Sequence, residues 1–309
     1  MNNSSIVQPK IAFLLMVHEN SEQANQFLHQ LLDYENSEIY IHVDLKRQDI
    51  KSLLLKNERI HILEQSIDVQ WADYSQIETI DLILRYAHSH GFHDYYSIHS
   101  GVDLAIRPVK DYAAYLKQTK PYAFCYAPQL PRNDWGHGGG LERIALDYPK
   151  IFRKKYPYKH PLRYLRALYQ IGYEKGILKG KPLPKSYQFY GGSSWFTISQ
   201  TALDDYILFV EQHPDYDILF HNSLGGDEIY HPSIFHMTGQ SKPIQSENNL
   251  RYIDWSIRDT NPYAGSPSIC EMEFVREIEE SGAFFARKFD SRVDNEIIQY
   301  FLNQTLTSN

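Results

Sequence analysis

The sequence predicts an α/β protein with a central, mostly parallel sheet flanked by helices. Three observations carry that prediction. A continuous apolar run, Ile11-Ala12-Phe13-Leu14-Leu15-Met16-Val17, is followed by a helical pattern and a second apolar run, all within about 35 residues, which is a βαβ unit and calls for a parallel pair. The first run does not alternate with polar residues, so that strand is buried on both faces. The 309 residues are 42% hydrophobic and 22% charged, enough for a large core. The whole chain, 1–309, reads as one domain.

Taken in order, Asn20-Ser21 offers an N-cap after the first strand, and Ala24, Phe27, Leu28, Leu31 and Leu32 recur at helical spacing. Ile39-Tyr40-Ile41-His42-Val43 is the second strand and ends in Asp44. Arg59 to Leu63 is a third. A helix over Asp73 to Ser89 sets Ile77, Ile80, Leu84 and Ala87 on one face, and Tyr95 to His99 is a fourth strand leading into Ser100-Gly101-Val102-Asp103. Ligands of parallel sheets bind beyond the carboxyl ends of the strands. That edge holds Val17 with His18, His42 with Asp44, and the turn from Ser100 to Asp103. Val109 to Leu116 is a further helix before an apolar stretch, Tyr122 to Tyr126.

Residues 128–188 break this pattern and read as an inserted lobe. They open with a glycine-rich loop, Asp134 to Gly140, expected to be flexible. Between Lys150 and Lys185 there are eleven Lys/Arg and a single acid, Glu174. The segment carries about +10, leaving about −17 for the rest of a chain whose net charge is −7. Tyr156, Tyr158, Tyr164, Tyr169 and Tyr173 are interleaved with the cations. Such a surface is a solvated positive face, a cradle for an anionic glycan, or a contact through 150–185 with an anionic membrane bearing a lipid-linked acceptor. The strand pattern resumes at Tyr190-Gly191-Gly192-Ser193-Ser194-Trp195-Phe196-Thr197-Ile198. A helix follows from about Thr201 to Gln212, Asp227 is placed to cap another, and Val293, Ile297, Ile298, Phe301 and Leu302 end the chain as an amphipathic helix.

The net negative charge argues against nucleic acid as a partner. Cys125 and Cys270 lack metal-ligand spacing and fit a reducing compartment. The first apolar run is seven residues, too short to span a bilayer, so a cytoplasmic location, or one peripheral to the inner membrane face, is expected. Four stretches could carry chemistry. Arg287-Lys288 ends an apolar run closed by Phe289: a surface pair at the end of a strand, or partly desolvated cations suited to a phosphate or carboxylate. Glu228, after Gly225-Gly226, is a capping acid or an ionised general base at a helix start, with Asp227 its rival. Trp195, after Gly192-Ser193-Ser194, is a core indole or a platform for the apolar face of a sugar. Asp215-Tyr216-Asp217 is the sole Asp-x-Asp string and lacks a preceding strand, and His88, His90 and His93 fit a solvated helix end better than a metal site.

Together these pieces resemble the core-2/I-branching β-1,6-N-acetylglucosaminyltransferases, the peptide O-xylosyltransferases and their bacterial relatives. The matching stretches are Ile11 to His18, Tyr40 to Asp44, Trp71 with Ser75, His99 to Asp103, Gly192 to Phe196, Asp227-Glu228, Asn249 to Trp255 and Phe285 to Asp290. The resemblance implies a GT-A fold and an inverting transferase that uses a UDP-sugar, with GlcNAc or xylose the sugar moved, and no metal or other cofactor. It implies that Arg287 and Lys288 hold the donor diphosphate, that Glu228 is the base, and that Asp44, with Val17, His42, Trp71 and Ser75, lies by the nucleotide. Ser100, Gly101, Asp103, Gly192, Ser193, Trp195, Asp227 and Trp255 would adjoin the transferred sugar or the acceptor, a glycan hydroxyl in cell-surface polysaccharide synthesis. Two departures are visible: Leu104-Ala105 follows Asp103 in place of an aromatic and Pro, and no basic residue stands around Gly265-Ser266-Pro267. The alternatives are a non-catalytic glycan-binding or scaffold protein on the same fold, and a metal-dependent transferase using Asp215 and Asp217.

Overall fold

The apolar run of β1 (Ile11–Val17) divides between two faces, as the period of a strand requires. Ile11, Phe13, Leu15 and Val17 enter one core with Ala24, Phe27, Leu28 and Leu31 of α1 (Ser21–Leu32). Ala12 and Leu14 enter a second with Ile77, Ile80, Leu84 and Ala87 of α2 (Ser75–Ser89). Asn20 caps α1 as its position suggests, accepting from the Gln23 N–H at 3.2 Å. The computed structural model describes residues 8–157, 159–256 and 266–306; Tyr158, Gly265 and the first seven residues, on which part of the reading above falls, lie outside these.

The other strands and α-helices among the described residues are β2 (Ser37–Val43), β3 (Ile60–Ile62), β4 (Tyr95–Ser100), β5 (Leu104–Ala105), α3 (Val109–Thr119), β6 (Ala123–Phe124), α4 (Glu142–Ala145) and α5 (Pro161–Glu174). Then come β7 (Thr197–Ser199), α6 (Gln200–Gln212), α7 (Pro214–Ile218), α8 (Asp227–Thr238), β8 (Ile244–Gln245), β9 (Arg251–Ile253), α9 (Val275–Glu280), β10 (Phe285–Arg287) and α10 (Asn295–Thr305). Among the described residues the main sheet has seven strands in the order β3-β2-β1-β4-β7-β6-β8. The pairs β1·β2, β2·β3 and β1·β4 are parallel, while β7 runs antiparallel to both β4 and β6. The carboxyl ends of β1, β2 and β4 therefore open on one edge, where α/β sheets bind their ligands. A second sheet, β5-β10-β9, packs Leu104, Ala105, Phe285 and Ala286 into the first core. It delivers Arg287 to that same edge, and the Phe289 N–H donates to Val102 O at 2.9 Å.

Several expectations need correction. Tyr190 to Phe196 does not extend the main-sheet strand: Tyr190 forms an isolated antiparallel bridge with Gln129, the Gly191 and Ser193 N–H groups go to Pro128 and Tyr126, that of Gly192 goes to Glu228, and only Thr197–Ser199 joins the seven-stranded sheet. Asp227 is the first residue of α8, and Gly226 is its N-cap. His93 is fully buried and shares its ring with Glu38 and Tyr40, so it is not a solvated end. The glycine-rich loop is packed: a Cβ on Gly140 or Gly191 would stand 2.5 or 2.3 Å from the Trp135 ring. Residues 142–174 add a small core of their own, where Leu146 and Tyr148 meet Ala72 and Leu224, with Phe152, Tyr169 and Tyr173 against them.

Candidate active site

At the end of β4 the chain turns sharply so that Gly101 N–H can donate to Met16 O at 3.0 Å. A Cβ on Gly101 would lie 3.2 and 3.3 Å from the Val17 methyls, so a larger residue would push the two strand ends apart. The turn aims Asp103 inward. Its carboxylate accepts from Ser100 N–H (3.1 Å) and from Arg287 Nε (3.1 Å), and lies 3.5 Å from His99 Nδ1. Burial alone would raise the Asp103 carboxyl, but Arg287 and then His99 hold it below the usual range. Burial, together with Arg251, drops His99 to about 4, so its ring is neutral near pH 7. Arg287 is itself buried, and its guanidinium lies 3.7 Å from the centre of the Trp195 ring, a cation–π contact. The predicted pair is thus no surface dipeptide.

Lys288 points beside it. Its Nζ donates to Ser266 Oγ at 2.8 Å, and Lys155 Nζ reaches the same oxygen at 3.2 Å. Burial first, then the charges of Arg287 and Lys155, lowers Lys288 to about 7, and burial lowers Lys155 as well. Lys155 comes from the basic segment, far away in sequence. Its convergence on Lys288 was invisible in the spacing, and the composition gave only a diffuse positive lobe. It supplies a cation beside Ser266, where the linear sequence has none.

The loop Gly191–Trp195 ties this cation end to the helix α8. Ser193 N–H donates to Tyr126 O (3.0 Å), and a Cβ on Gly192 would sit 1.9 Å from that oxygen, so only glycine fits. Gly192 N–H donates to Glu228 O at 2.9 Å. That carbonyl is available because Pro232, four residues on within α8, has no N–H to give it. Asn249 Nδ2 donates to Ser193 Oγ (2.8 Å), and Ser194 Oγ donates to Asp227 Oδ2 (2.5 Å). Burial, then the neighbouring Glu228, raises the Asp227 carboxyl. Glu228 remains partly open and accepts from Arg143 Nη1 (2.5 Å), whose guanidinium lies 3.9 Å from the centre of the Trp135 ring. Neither Arg143 nor Trp135 was singled out from sequence, because nothing local marks a residue that meets Glu228 from 85 positions away.

The structure therefore gathers Val17, Ser100, Gly101, Asp103, Gly192, Ser193, Trp195, Asp227, Glu228, Arg287 and Lys288 around one edge. The residues expected at the nucleotide are more dispersed. Asp44 is buried at the end of β2, accepting from Lys46 N–H at 2.9 Å and ion-paired with its Nζ at 3.1 Å. His42, pushed by burial to about 4, spends Nε2 on the Ile67 N–H at 2.9 Å and anchors the following loop. Ser75 Oγ accepts from Gln70 N–H at 2.9 Å, and Trp71 lies 5.8 Å from the Arg166 guanidinium. Gly225 N–H donates to Ala72 O at 2.8 Å, which links this loop to the start of α8. Trp255, 57% exposed beyond β9, shares no hydrogen bond or ring contact with the cluster among the described residues. Asp217 is occupied by the hydroxyls of Tyr74 (2.7 Å) and Tyr230 (3.1 Å), and Asp215 by that of Tyr187 (2.7 Å).

The sequence pattern of the Core-2/I-Branching enzyme family matches residues 11–279, most of the chain, and ends before Arg287 and Lys288. The chain belongs to that family of glycosyltransferases. As a Core-2/I-branching family member it is similar to the xylosyltransferase sqv-6 of Caenorhabditis elegans, at 23% identity over 96% of this chain. It spans 37% of that relative's length. Likeness to solved structures is low. A mannosyltransferase from Pyrobaculum calidifontis, in complex with GDP-Man and Mn2+, has 12% identity, a TM-score of 0.28, and coverage of 41% of this chain and 38% of its own. A Bacillus anthracis protein described as a glucose-1-phosphate thymidylyltransferase, in complex with sucrose, has 9% identity, a TM-score of 0.33, and coverage of 64% and 74%. Among the described residues no helix is long and apolar enough to cross a membrane.

Proposed function

We propose that this family member transfers a sugar from a UDP-sugar to a glycan hydroxyl with inversion and without a metal, within a single GT-A-like domain carrying an inserted lobe. Glu228 takes the proton of the acceptor hydroxyl as its oxygen bonds to the anomeric carbon. The bond from that carbon to the β-phosphate oxygen breaks, and its electron pair leaves as charge on UDP. Arg287, Lys288 and Lys155 stabilise that charge, the work a divalent ion does elsewhere. Trp195 and Asp103 flank the sugar. Asp44 and the Trp71–Ser75 loop lie by the nucleotide. GlcNAc and xylose are the donor sugars the family resemblance favours, and the product belongs to a cell-surface polysaccharide.

The observation that supports this reading is the convergence of three cations, Arg287 buried and Lys288 and Lys155 partly so, on the strand-end edge, tied through the Gly191–Trp195 loop to the carboxylate pair of α8. Incubation with a panel of UDP-sugars, in chelator and with a mixed glycan acceptor pool, tests it. Release of UDP that depends on acceptor and on Glu228 is the expected result. Strict dependence on Mn2+ points to the metal-using alternative, and no turnover with any donor points to the binding protein.

A further inference from the structure

Helix α5 fully buries none of its residues, although it is two-sided. Tyr169 and Tyr173 pack against the small core of Ala72, Leu146, Tyr148 and Leu224, and Arg166 on the same side donates to Phe152 O at 2.9 Å. At about 100° per residue, Tyr164, Leu165 and Leu168 share another arc of about 100°. They are 61%, 50% and 62% exposed, and Ile177, three residues beyond the helix, is 78% exposed. Lys154 and Lys159 before this face, and Lys175, Lys179 and Lys185 after it, are all exposed. The one acid of the segment, Glu174, is engaged by His137 at 2.9 Å and Lys175 at 3.6 Å. Large apolar side chains turned to solvent on a single helix face, with lysines at both ends and no competing free acid, match the interface of an anionic bilayer.

We propose that this face docks on an anionic lipid bilayer, with Tyr164, Leu165, Leu168 and Ile177 entering the headgroup layer and the flanking lysines meeting lipid phosphates. Charge complementarity selects this occupant: Arg153, Lys155, Arg166 and Lys181 turn to Asp73, Ser266, Phe152 O and Asp147, but Lys154, Lys159, Lys175, Lys179 and Lys185 stay exposed at the two ends of the face, and each cation near such a surface adds to the attraction. A linear helix face with long cationic side chains at its ends suits a plane of headgroups better than a concave protein partner. The inner side of α5 packs on Leu224, just before Gly225 and α8, so docking would hold the Glu228 end of the site close to the membrane. The inference does not depend on Glu228 acting as a base.

Co-sedimentation of the full chain with phosphatidylcholine vesicles, with and without a third of the lipid replaced by phosphatidylglycerol, tests it. Sedimentation only with the anionic vesicles, weakened by salt, is expected. The double variant Leu165→Asp/Leu168→Asp should lose about tenfold or more of the bound fraction. Lys159→Glu/Lys179→Glu should also bind less; these exposed positions leave packing untouched, so this variant carries the test should the apolar one misfold. No sedimentation, equal sedimentation with neutral vesicles, or variants that bind as well as the parent would each overturn the proposal. So would a stable dimer in solution that the apolar variant abolishes, since a second copy would then cover the face.

Discussion

Two carboxylate–cation pairs stand at opposite ends of the candidate site. Asp103 and Arg287 have side chains 1% and 8% exposed; Glu228 and Arg143 are 28% and 24% exposed. The first pair is locked by Ser100 N–H, His99 and Trp195. The second meets only at the carboxylate tip and lies on the Trp135 ring. A buried pair cannot be parted without stranding a charge, whereas a half-open one can trade its partner for an incoming hydroxyl. The Arg287 end is therefore fixed in place and the Glu228 end is exchangeable; in the proposed function these are the donor and acceptor ends.

The comparison breaks most visibly at the acceptor end. Glu228→Gln keeps the shape and removes the base, so turnover should fall by about 10²–10⁴-fold with UDP affinity unchanged; retained turnover would assign the base elsewhere. At the donor end, Arg287→Ala strands Asp103 and should cost about 3–5 kcal/mol of stability, read as a drop in Tm or denaturation midpoint. Its neighbour should behave in the opposite way: Lys288→Met removes a desolvated charge, leaving Tm unchanged or raised while donor binding is lost. Equal destabilisation by both would erase the distinction between a cation locked to a carboxylate and one held only by a hydroxyl. Arg143→Ala should lower transfer about tenfold by leaving the Glu228 carboxylate unpositioned, while UDP binding stays as it was.

The smallest effect is in pH. The folded-state pKa of Lys288 is depressed to about 7, below that of an unfolded lysine, so the unfolded chain binds more protons between the two values. The penalty for burying the charged amine is complete below about pH 7 and is relieved as pH rises above it. An anion restores the charge, so UDP should raise Tm more at pH 6 than at pH 9. The difference should vanish in Lys288→Met; its persistence there would move the titration to another group.

Much of this was legible because local rules determine it. An unbroken apolar strand, a 3.6-residue helical period and a polar turn after each strand placed β1, β2, β4 and their carboxyl ends, and with them Asp44 and Asp103, whereas a role for the Arg287-Lys288 pair came from the family resemblance. Reading failed where a residue's environment is set by distant chain. Tyr190 to Phe196 has strand-like aromatics, but its N–H groups are taken by Tyr126, Glu228 and Pro128. Lys155 lies in a segment whose charge suggested a solvated lobe and Arg143 lies just before it, and only folding shows one at Lys288 and the other at Glu228. His42 illustrates the reverse case: it lies on the predicted edge but serves Ile67 N–H.

The most direct measurement is calorimetric titration of UDP into the parent chain and Lys288→Met, both in excess chelator. The parent should bind without any divalent ion, and the variant about 10²-fold more weakly. Binding that appears only when Mn2+ or Mg2+ is supplied, or that is equal in the two proteins, would contradict it.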